Sequence, residues 1–197
     1  LSGIEYNVIP DRIEAGTLML AGAITGGDIT VSGVETAHLL PVLQKLKDIG
    51  VHIEQNGREV QVKHNGTMRP IELDTQPYPG FPTDMQAQFM ALLAIVPGTS
   101  VIKETIFENR FMHVQELNRL GANIRVKDNI ALITGVNKLS GAPVKTTDLR
   151  AGAALWLAGL IAEGETLIYD IEHVERGYDD LQGKLSTLGA KIKRVNA

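Results

Sequence analysis

Apolar and polar positions recur three times along the chain, and the opening acid and closing glycine of each occurrence are 39, 37 and 41 residues apart. Such recurrence is typical of stacked supersecondary units. Each occurrence opens with an acidic helix start and an apolar, alanine-rich run; the acidic residues are Asp11, Asp84 and Asp148. After a β-rich run and a second helical stretch, each closes on a glycine; the closing glycines are Gly50, Gly121 and Gly189. We therefore divide the chain into repeats of about residues 6–66, 67–140 and 141–197, within one domain spanning residues 1–197.

The two helices of each repeat differ in kind. The first helices are apolar nearly all round and are predicted at Asp11–Ala23, Thr83–Val96 and Asp148–Ala162. The second helices are amphipathic and are predicted at Ala37–Asp48, Met112–Leu120 and Tyr178–Leu188. Because a helix without a polar face must be buried on every side, we predict an α/β fold with central helices inside the sheets.

Strands are predicted at Tyr6–Ile9, Asp28–Val31, His52–Glu54, Val60–Val62, Ile71–Asp74, Ser100–Glu104, Val144–Thr146, Thr166–Tyr169 and Lys191–Val195. Asn56-Gly57 predicts a hairpin turn with positive φ at both residues, and Lys127-Asp128-Asn129 predicts a second turn. The third repeat stops where a partner strand is expected, and Leu1–Glu5 lacks an initiator Met. Either the last repeat is open, or the missing strand lies elsewhere in a longer parent chain.

Composition narrows the function classes. The net charge of −4 argues against a general nucleic-acid or anionic-membrane surface. The longest apolar run, Ala151–Ala162, is shorter than the roughly 20 residues that span a bilayer. With no cysteine, the chain contains no disulfide, zinc-thiolate site or cysteine nucleophile.

No cofactor or metal is expected. Gly22, Gly26 and Gly27 do not form a dinucleotide-binding fingerprint, and no P-loop is present. The histidines show no metal-ligand spacing, and we interpret all five as surface or partly packed residues; they are His38, His52, His64, His113 and His173.

Asp84 has two compatible interpretations. Thr83 and Gln86 fit a helix-capping box around it, which is the commoner reason for such a pattern. Alternatively, Asp84 is a general base, since a helix N-terminus favours the ionised carboxylate.

Three arginines lie at element junctions near helix starts: Arg110, Arg150 and Arg176. Any one of them is ordinarily a surface ion-pair partner. Arg150 opposes the helix dipole in an otherwise apolar first turn, which is locally unfavourable. Together they are candidates for a carboxylate or phosphate site.

Long strings in the chain resemble those of the UDP-N-acetylglucosamine 1-carboxyvinyltransferases, a branch of the enolpyruvyl transferase family. The strings are Phe81-Pro82-Thr83-Asp84-Met85-Gln86-Ala87-Gln88-Phe89, Phe107-Glu108-Asn109-Arg110-Phe111-Met112-His113, Thr147-Asp148-Leu149-Arg150-Ala151 and Arg176-Gly177-Tyr178. The resemblance implies an inside-out α/β barrel of three βαβαββ repeats, forming the second of two domains. It also implies that the other domain is absent, and that the missing strand comes from the far N-terminus of the parent protein.

The resemblance further implies a role for each matching residue. Asp84 is the catalytic base, facing the 3-hydroxyl of UDP-N-acetylglucosamine, and Ile106 makes a main-chain contact to the same substrate. Arg110 and Arg150 face the carboxylate of phosphoenolpyruvate, and Arg176 lies near its phosphate. Asp148 and Leu149 meet a mobile loop of the other domain.

The implied protein is a cytoplasmic bacterial enzyme that begins peptidoglycan synthesis. Its partners are the two substrates and the missing domain, with no nucleic acid and no membrane. Two alternatives stay open: a non-catalytic UDP-sugar-binding or scaffold domain, and a transferase resembling 5-enolpyruvylshikimate-3-phosphate synthase.

Overall fold

The computed structural model describes residues 2–64 and 66–195. Its helices are α1 (Arg12–Ile24), α2 (Leu40–Ile49), α3 (Gln86–Leu93), α4 (Val114–Arg119), α5 (Leu149–Ile161), α6 (Glu172–Glu175) and α7 (Leu181–Thr187). Its strands are β1 (Asp28–Ser32), β2 (His52–Asn56), β3 (Glu59–Lys63), β4 (Glu72–Asp74), β5 (Thr99–Lys103), β6 (Asn123–Lys127), β7 (Ile130–Thr134), β8 (Pro143–Lys145) and β9 (Leu167–Tyr169). Short 3₁₀ turns at Thr36–His38 and Thr83–Met85 precede α2 and α3.

The predicted burial of the apolar helices is confirmed. Helices α1, α3 and α5 pack against one another, and every residue of α3 is buried. Helix α5 also packs against α6, where Gly152 allows the close approach: a Cβ there would lie 2.3 Å from Val174 Cγ2. The α5–α6 contact places the segment that follows α6 beside the start of α5.

The strands of the described residues form three separate sheets, two of which contact the central helices: α1 packs on β1 and β3, and α3 packs on β5 and β7. The strand orders are β1-β3-β2, β4-β5-β7-β6 and β8-β9. Strands β4 and β5 pair in parallel, as do β8 and β9, whereas the hairpin pairs β2–β3 and β6–β7 are antiparallel. The fold is therefore α/β with mixed sheets, as predicted.

Two predicted strands are wrong. Residues 6–9 and 191–195 have no strand structure, and the side chains of Tyr6 and Val8 are largely exposed. Their β-branched and aromatic residues are suitable for a strand, but a strand also needs a neighbour, and neither segment pairs with a described residue. Leu1, at the start of the predicted fragment edge, lies outside the described residues.

Several element boundaries differ from prediction. Only Gly57 of the Asn56-Gly57 pair has positive φ, because Asn56 still pairs with Glu59 in the ladder. Helix α7 begins three residues late because Asp180 has left-handed φ and its side chain caps Gly183 N. The short helix α6 was not predicted. The three closing glycines all have positive φ, as helix ends of this kind require.

Candidate active site

The carboxylate of Asp84 lies between two guanidinium groups. Its Oδ1 accepts from Arg110 Nη2 at 2.9 Å, and its Oδ2 accepts from Arg150 Nη2 at 3.1 Å. The Asp84 side chain is 39% exposed, whereas the arginine side chains are only 24% and 17% exposed. The two cations are thus fixed more firmly than the acid that they hold, and the acid remains accessible to solvent.

Separate elements deliver these three side chains. Asp84 lies on the 3₁₀ turn before α3, Arg110 lies in the loop between β5 and α4, and Arg150 lies in the first turn of α5. The ion pair with Asp84 compensates for the unfavourable position of Arg150 at a helix N-terminus. Arg150 Nη1 is buried and makes no hydrogen bond to any described residue, so this nitrogen still has donor capacity.

An open pocket of about 400 Å³ lies over the ion pairs. Its lining residues are Asp84, Arg110, Asp148, Leu149 and Arg150. Asp148 is the N-cap of α5, and its Oδ1 accepts from Arg150 N at 2.8 Å and from Ala151 N at 2.9 Å. The Asp148 carboxylate therefore fixes the turn that carries Arg150.

The predicted capping box around Asp84 is wrong. The Thr83 hydroxyl donates to Glu104 Oε2 at 2.8 Å instead of capping the helix. The Gln86 side chain is buried in the core, and its amide atoms have no partner among the described residues. Gln86 lies on the buried helix α3, so its side chain is in the core and does not reach back to the N-cap as the pattern predicted.

Ile106 lies at the edge of this region, and its main-chain N–H is already used. That N–H donates to Glu104 Oε1 at 2.8 Å. A main-chain contact from Ile106 to a ligand would therefore have to come from its carbonyl oxygen.

The structure places Arg176 apart from Asp84. Arg176 is exposed, donates to His173 Nδ1, and lines a second pocket of about 580 Å³ beside Trp156. The two pockets are nevertheless neighbours, because Gly177 packs closely against Leu149.

The buried Tyr178 is a further residue that the sequence did not single out. Its ring centroid lies 6.0 Å from Arg150 Cζ. Its hydroxyl forms a buried hydrogen bond with the Thr17 hydroxyl at 2.9 Å and accepts from Gln88 Nε2 at 3.3 Å. This network joins α1 and α3 to the segment that packs on the start of α5.

His113 is buried, not partly packed at the surface as predicted. Burial lowers its pKa to about 4; nearby Asp148 acts in the opposite direction and Arg110 adds to the lowering. His113 is therefore neutral at neutral pH, and its Nε2 has no partner among the described residues.

Glu104 is the other residue missed. It is 2% exposed and its carboxylate accepts four hydrogen bonds. The sequence contained a signal for it. Glu104 directly follows β5 and continues the alternation of buried positions after Ser100 and Ile102, where a charged side chain requires buried partners.

Within residues 2–64 and 66–195, no helix is long and apolar enough to cross a bilayer. The same residues contain no group of three or more His, Asp or Glu side chains that could hold a metal ion.

Comparison with known proteins identifies relatives over almost the whole chain. The family model of EPSP synthase (3-phosphoshikimate 1-carboxyvinyltransferase) matches residues 1–185. A UDP-N-acetylglucosamine 1-carboxyvinyltransferase 1 of Caldanaerobacter subterraneus is 57% identical over 98% of this chain and 47% of its own length. A UDP-N-acetylglucosamine 1-carboxyvinyltransferase of Nostoc sp. is 55% identical over 99% of this chain and 44% of its own length. The chain thus spans about half the length of the curated relatives it matches.

Solved structures with a similar fold are also known. The enolpyruvyl transferase NikO from Streptomyces tendae superimposes with a TM-score of 0.88 and 31% identity, over 95% of this chain and 45% of that one. EPSP synthase from Acinetobacter baumannii gives a TM-score of 0.66 at 24% identity, over 88% of this chain and 44% of that one, which supports the shared fold alone.

Proposed function

The chain belongs to the EPSP synthase family of enolpyruvyl transferases, and we propose that it is one half of a UDP-N-acetylglucosamine 1-carboxyvinyltransferase. The proposed enzyme transfers the enolpyruvyl group of phosphoenolpyruvate to the 3-hydroxyl of UDP-N-acetylglucosamine. The names of relatives at 52–57% identity favour this substrate. The observation that carries the proposal is a solvent-accessible Asp84 held between Arg110 and Arg150 at an open pocket.

The proposed reaction is an addition followed by an elimination. The 3-hydroxyl oxygen bonds to C2 of phosphoenolpyruvate as its proton passes to Asp84, and C3 takes up a proton. The C2–O bond to phosphate then breaks, a C3 proton leaves, and the enol ether forms. A base and fixed cations suit this sequence, because an alcohol loses a proton beside a ligand that is already anionic.

Arg110 and Arg150 are proposed to bind the ligand carboxylate. Arginine forms forked hydrogen bonds with carboxylates, and Arg150 Nη1 has no partner among the described residues. Because Nη1 is buried, a ligand carboxylate can bind it, while Asp84 retains Nη2, only when the groups that cover this nitrogen move.

The remaining residues at the site have supporting roles in this proposal. Ile106 contacts the sugar nucleotide through its main chain, and Asp148 and Leu149 meet a mobile loop of the other domain. Arg176 lies near the ligand phosphate after that domain closes. This last role involves movement, since Arg176 lines a separate pocket in the present structure.

We also infer the wider setting. The three repeats form one inside-out barrel domain, and a second domain supplies the missing strand, the loop acid and the lysine that grips phosphoenolpyruvate. The two-domain protein, meaning this chain together with that second domain, acts in the cytoplasm of a bacterium at the start of peptidoglycan synthesis.

The alternative substrate is a phosphorylated shikimate, which the name of the matching family model favours. Phosphate release from phosphoenolpyruvate by the two-domain protein separates the two transferases. We expect release that depends on UDP-N-acetylglucosamine and is negligible with shikimate 3-phosphate. The reverse preference would refute the proposed substrate, and no release with either acceptor would favour a non-catalytic binding or scaffold domain.

A further inference from the structure

The buried carboxylate of Glu104 joins two parts of the site. Its Oε2 accepts from the Thr83 hydroxyl at 2.8 Å. Its Oε1 accepts from the Thr75 hydroxyl at 2.8 Å and from the main-chain N–H groups of Ile106 and Phe107 at 2.8 and 3.2 Å. Four donors compensate for the desolvation of this buried acid, so it is held in one place.

The backbone of Glu104 is equally well anchored. Its N–H donates to the Asn129 carbonyl at 2.8 Å, and Asn129 Nδ2 donates back to the Glu104 carbonyl at 2.9 Å. Asn129 lies in the turn of the β6–β7 hairpin. The backbone of Glu104 is thus held against the β6–β7 hairpin, so its side chain can fix the position of the segments that it contacts.

Through Oε2, Glu104 contacts the residue that precedes Asp84. Thr83 directly precedes Asp84 in a 3₁₀ turn whose N-cap, Pro82, makes no side-chain capping bond. The Thr83 hydroxyl therefore ties this turn to the sheet through Glu104. Loss of that bond would leave the direction of Asp84 to its ion pairs alone.

Through Oε1, Glu104 contacts the loop that follows β5. Thr75, which donates to Oε1, also accepts from Thr105 N at 2.8 Å, so its hydroxyl secures the residue just before Ile106. The Phe107 ring in turn lies 4.9 Å below Arg110 Cζ. The same carboxylate therefore fixes the position of the Ile106 main chain and that of Phe107, whose ring contacts Arg110.

We propose that Glu104 is a positioning residue for the transferase reaction, with a separate task for each carboxylate oxygen. Oε2 fixes the turn that carries the base Asp84, and Oε1 fixes the loop that contacts the sugar nucleotide. This inference rests on the proposed function.

The test removes the hydroxyl donor of one Glu104 carboxylate oxygen at a time in the two-domain protein. Thr83→Val deletes the hydroxyl next to Asp84, and we expect kcat to fall about tenfold, the worth of one hydrogen bond to a charged group. The KM for UDP-N-acetylglucosamine should change less. Thr75→Val deletes the hydroxyl on the loop side, and we expect that KM to rise about tenfold, with the smaller effect on kcat.

Three controls separate positioning from stability. Thr83→Ser and Thr75→Ser keep the hydroxyls and should restore the wild-type constants. Ser100→Ala removes another buried hydroxyl on the same face of β5, one that accepts from Ile71 N and does not contact Glu104. It should lower Tm and leave kcat and KM unchanged.

The outcomes are distinguishable. A kcat effect from Thr83→Val and a KM effect from Thr75→Val would support the proposal. If both variants lower Tm as Ser100→Ala does and leave kcat and KM unchanged, or if they alter both constants in the same proportion, the proposal is overturned while the proposed function stands. If the wild-type two-domain protein shows no turnover, the proposed function fails and this inference fails with it.

Discussion

The carboxylate of Asp84 meets two positive charges before any ligand arrives, and this arrangement determines what the residue can do. Arg110 and Arg150 each hold it through Nη2. A carboxylate that is still 39% exposed can accept a proton from an alcohol that reaches the pocket. In the proposed reaction the ligand carboxylate shares the two arginines with Asp84, so the substrates and the proposed base are electrostatically linked.

His113 gives a prediction for the pH dependence of stability. The unfolded side chain binds its proton near pH 6.5, whereas the buried side chain binds it near pH 4. Acid therefore favours the unfolded chain: the contribution to stability is complete above pH 6.5 and is lost progressively as the pH falls to 4. Between pH 7.5 and 5.5 we expect protonation of His113 to lower the unfolding free energy by roughly 1 kcal/mol.

The measurement is urea unfolding of the chain at both pH values, for wild type and for His113→Gln. Glutamine has no titratable proton, so the unfolding free energy of the variant should fall by roughly 1 kcal/mol less than that of wild type over this interval. Equal losses in the two proteins would show that His113 is not buried in its neutral form.

At the scale of elements, two helices begin with the same cap but differ in what the cap supports. Asp11 Oδ1 accepts from Ile13 N and Glu14 N, and Asp148 Oδ1 accepts from Arg150 N and Ala151 N. Only the second cap fixes an arginine of the candidate site. The two aspartates are therefore a matched pair for separating stability from function.

We predict that Asp11→Ala and Asp148→Ala each lower the unfolding free energy of the chain by about 0.5–2 kcal/mol. In the two-domain protein, only Asp148→Ala should also raise the KM for phosphoenolpyruvate, because only that cap holds Arg150. Denaturant unfolding and steady-state kinetics measure the two effects. An equal rise in KM for both variants would contradict the account of the α5 cap.

Helix positions could be predicted because their signals are local. The apolar runs that became α1 and α5, and the acidic caps before them, lie within a few consecutive residues. The strands expected at residues 6–9 and 191–195 failed because a strand depends on a partner that local sequence cannot supply.

The same distinction applies to the site. Motif strings identified Asp84, Arg110 and Arg150, and the structure brings these three together. Glu104 was missed, and the burial of His113 was not predicted, because tertiary packing decides which side chains are buried. Thr83 was assigned to the wrong partner, since its hydroxyl donates to the carboxylate of Glu104, just after β5, instead of forming a local cap.

At the scale of the whole molecule, the candidate site is an open pocket. The pocket over Asp84 is lined by five residues of this chain, and the relatives it matches are about twice as long. Enzymes of this kind exclude water by closing a second element over the substrate. In the proposed enzyme this chain would therefore supply a base and cations, and the second domain would complete the closed cavity.

We accordingly predict that the isolated chain shows no turnover and binds UDP-N-acetylglucosamine weakly at best. Steady-state phosphate release and calorimetric titration of the purified chain measure these quantities. Robust release by the chain alone would show that the second domain is not needed for the chemistry.

The central claim is that Asp84 takes the proton of the acceptor hydroxyl, and its most direct test is the turnover of Asp84→Asn in the two-domain protein. Asparagine keeps the shape and one acceptor for the arginines but is not a base. We predict that kcat falls by about 10²–10⁴-fold, the usual contribution of a general base, while the variant remains folded. A kcat within about threefold of wild type, equivalent to about 0.7 kcal/mol of barrier, would contradict the account.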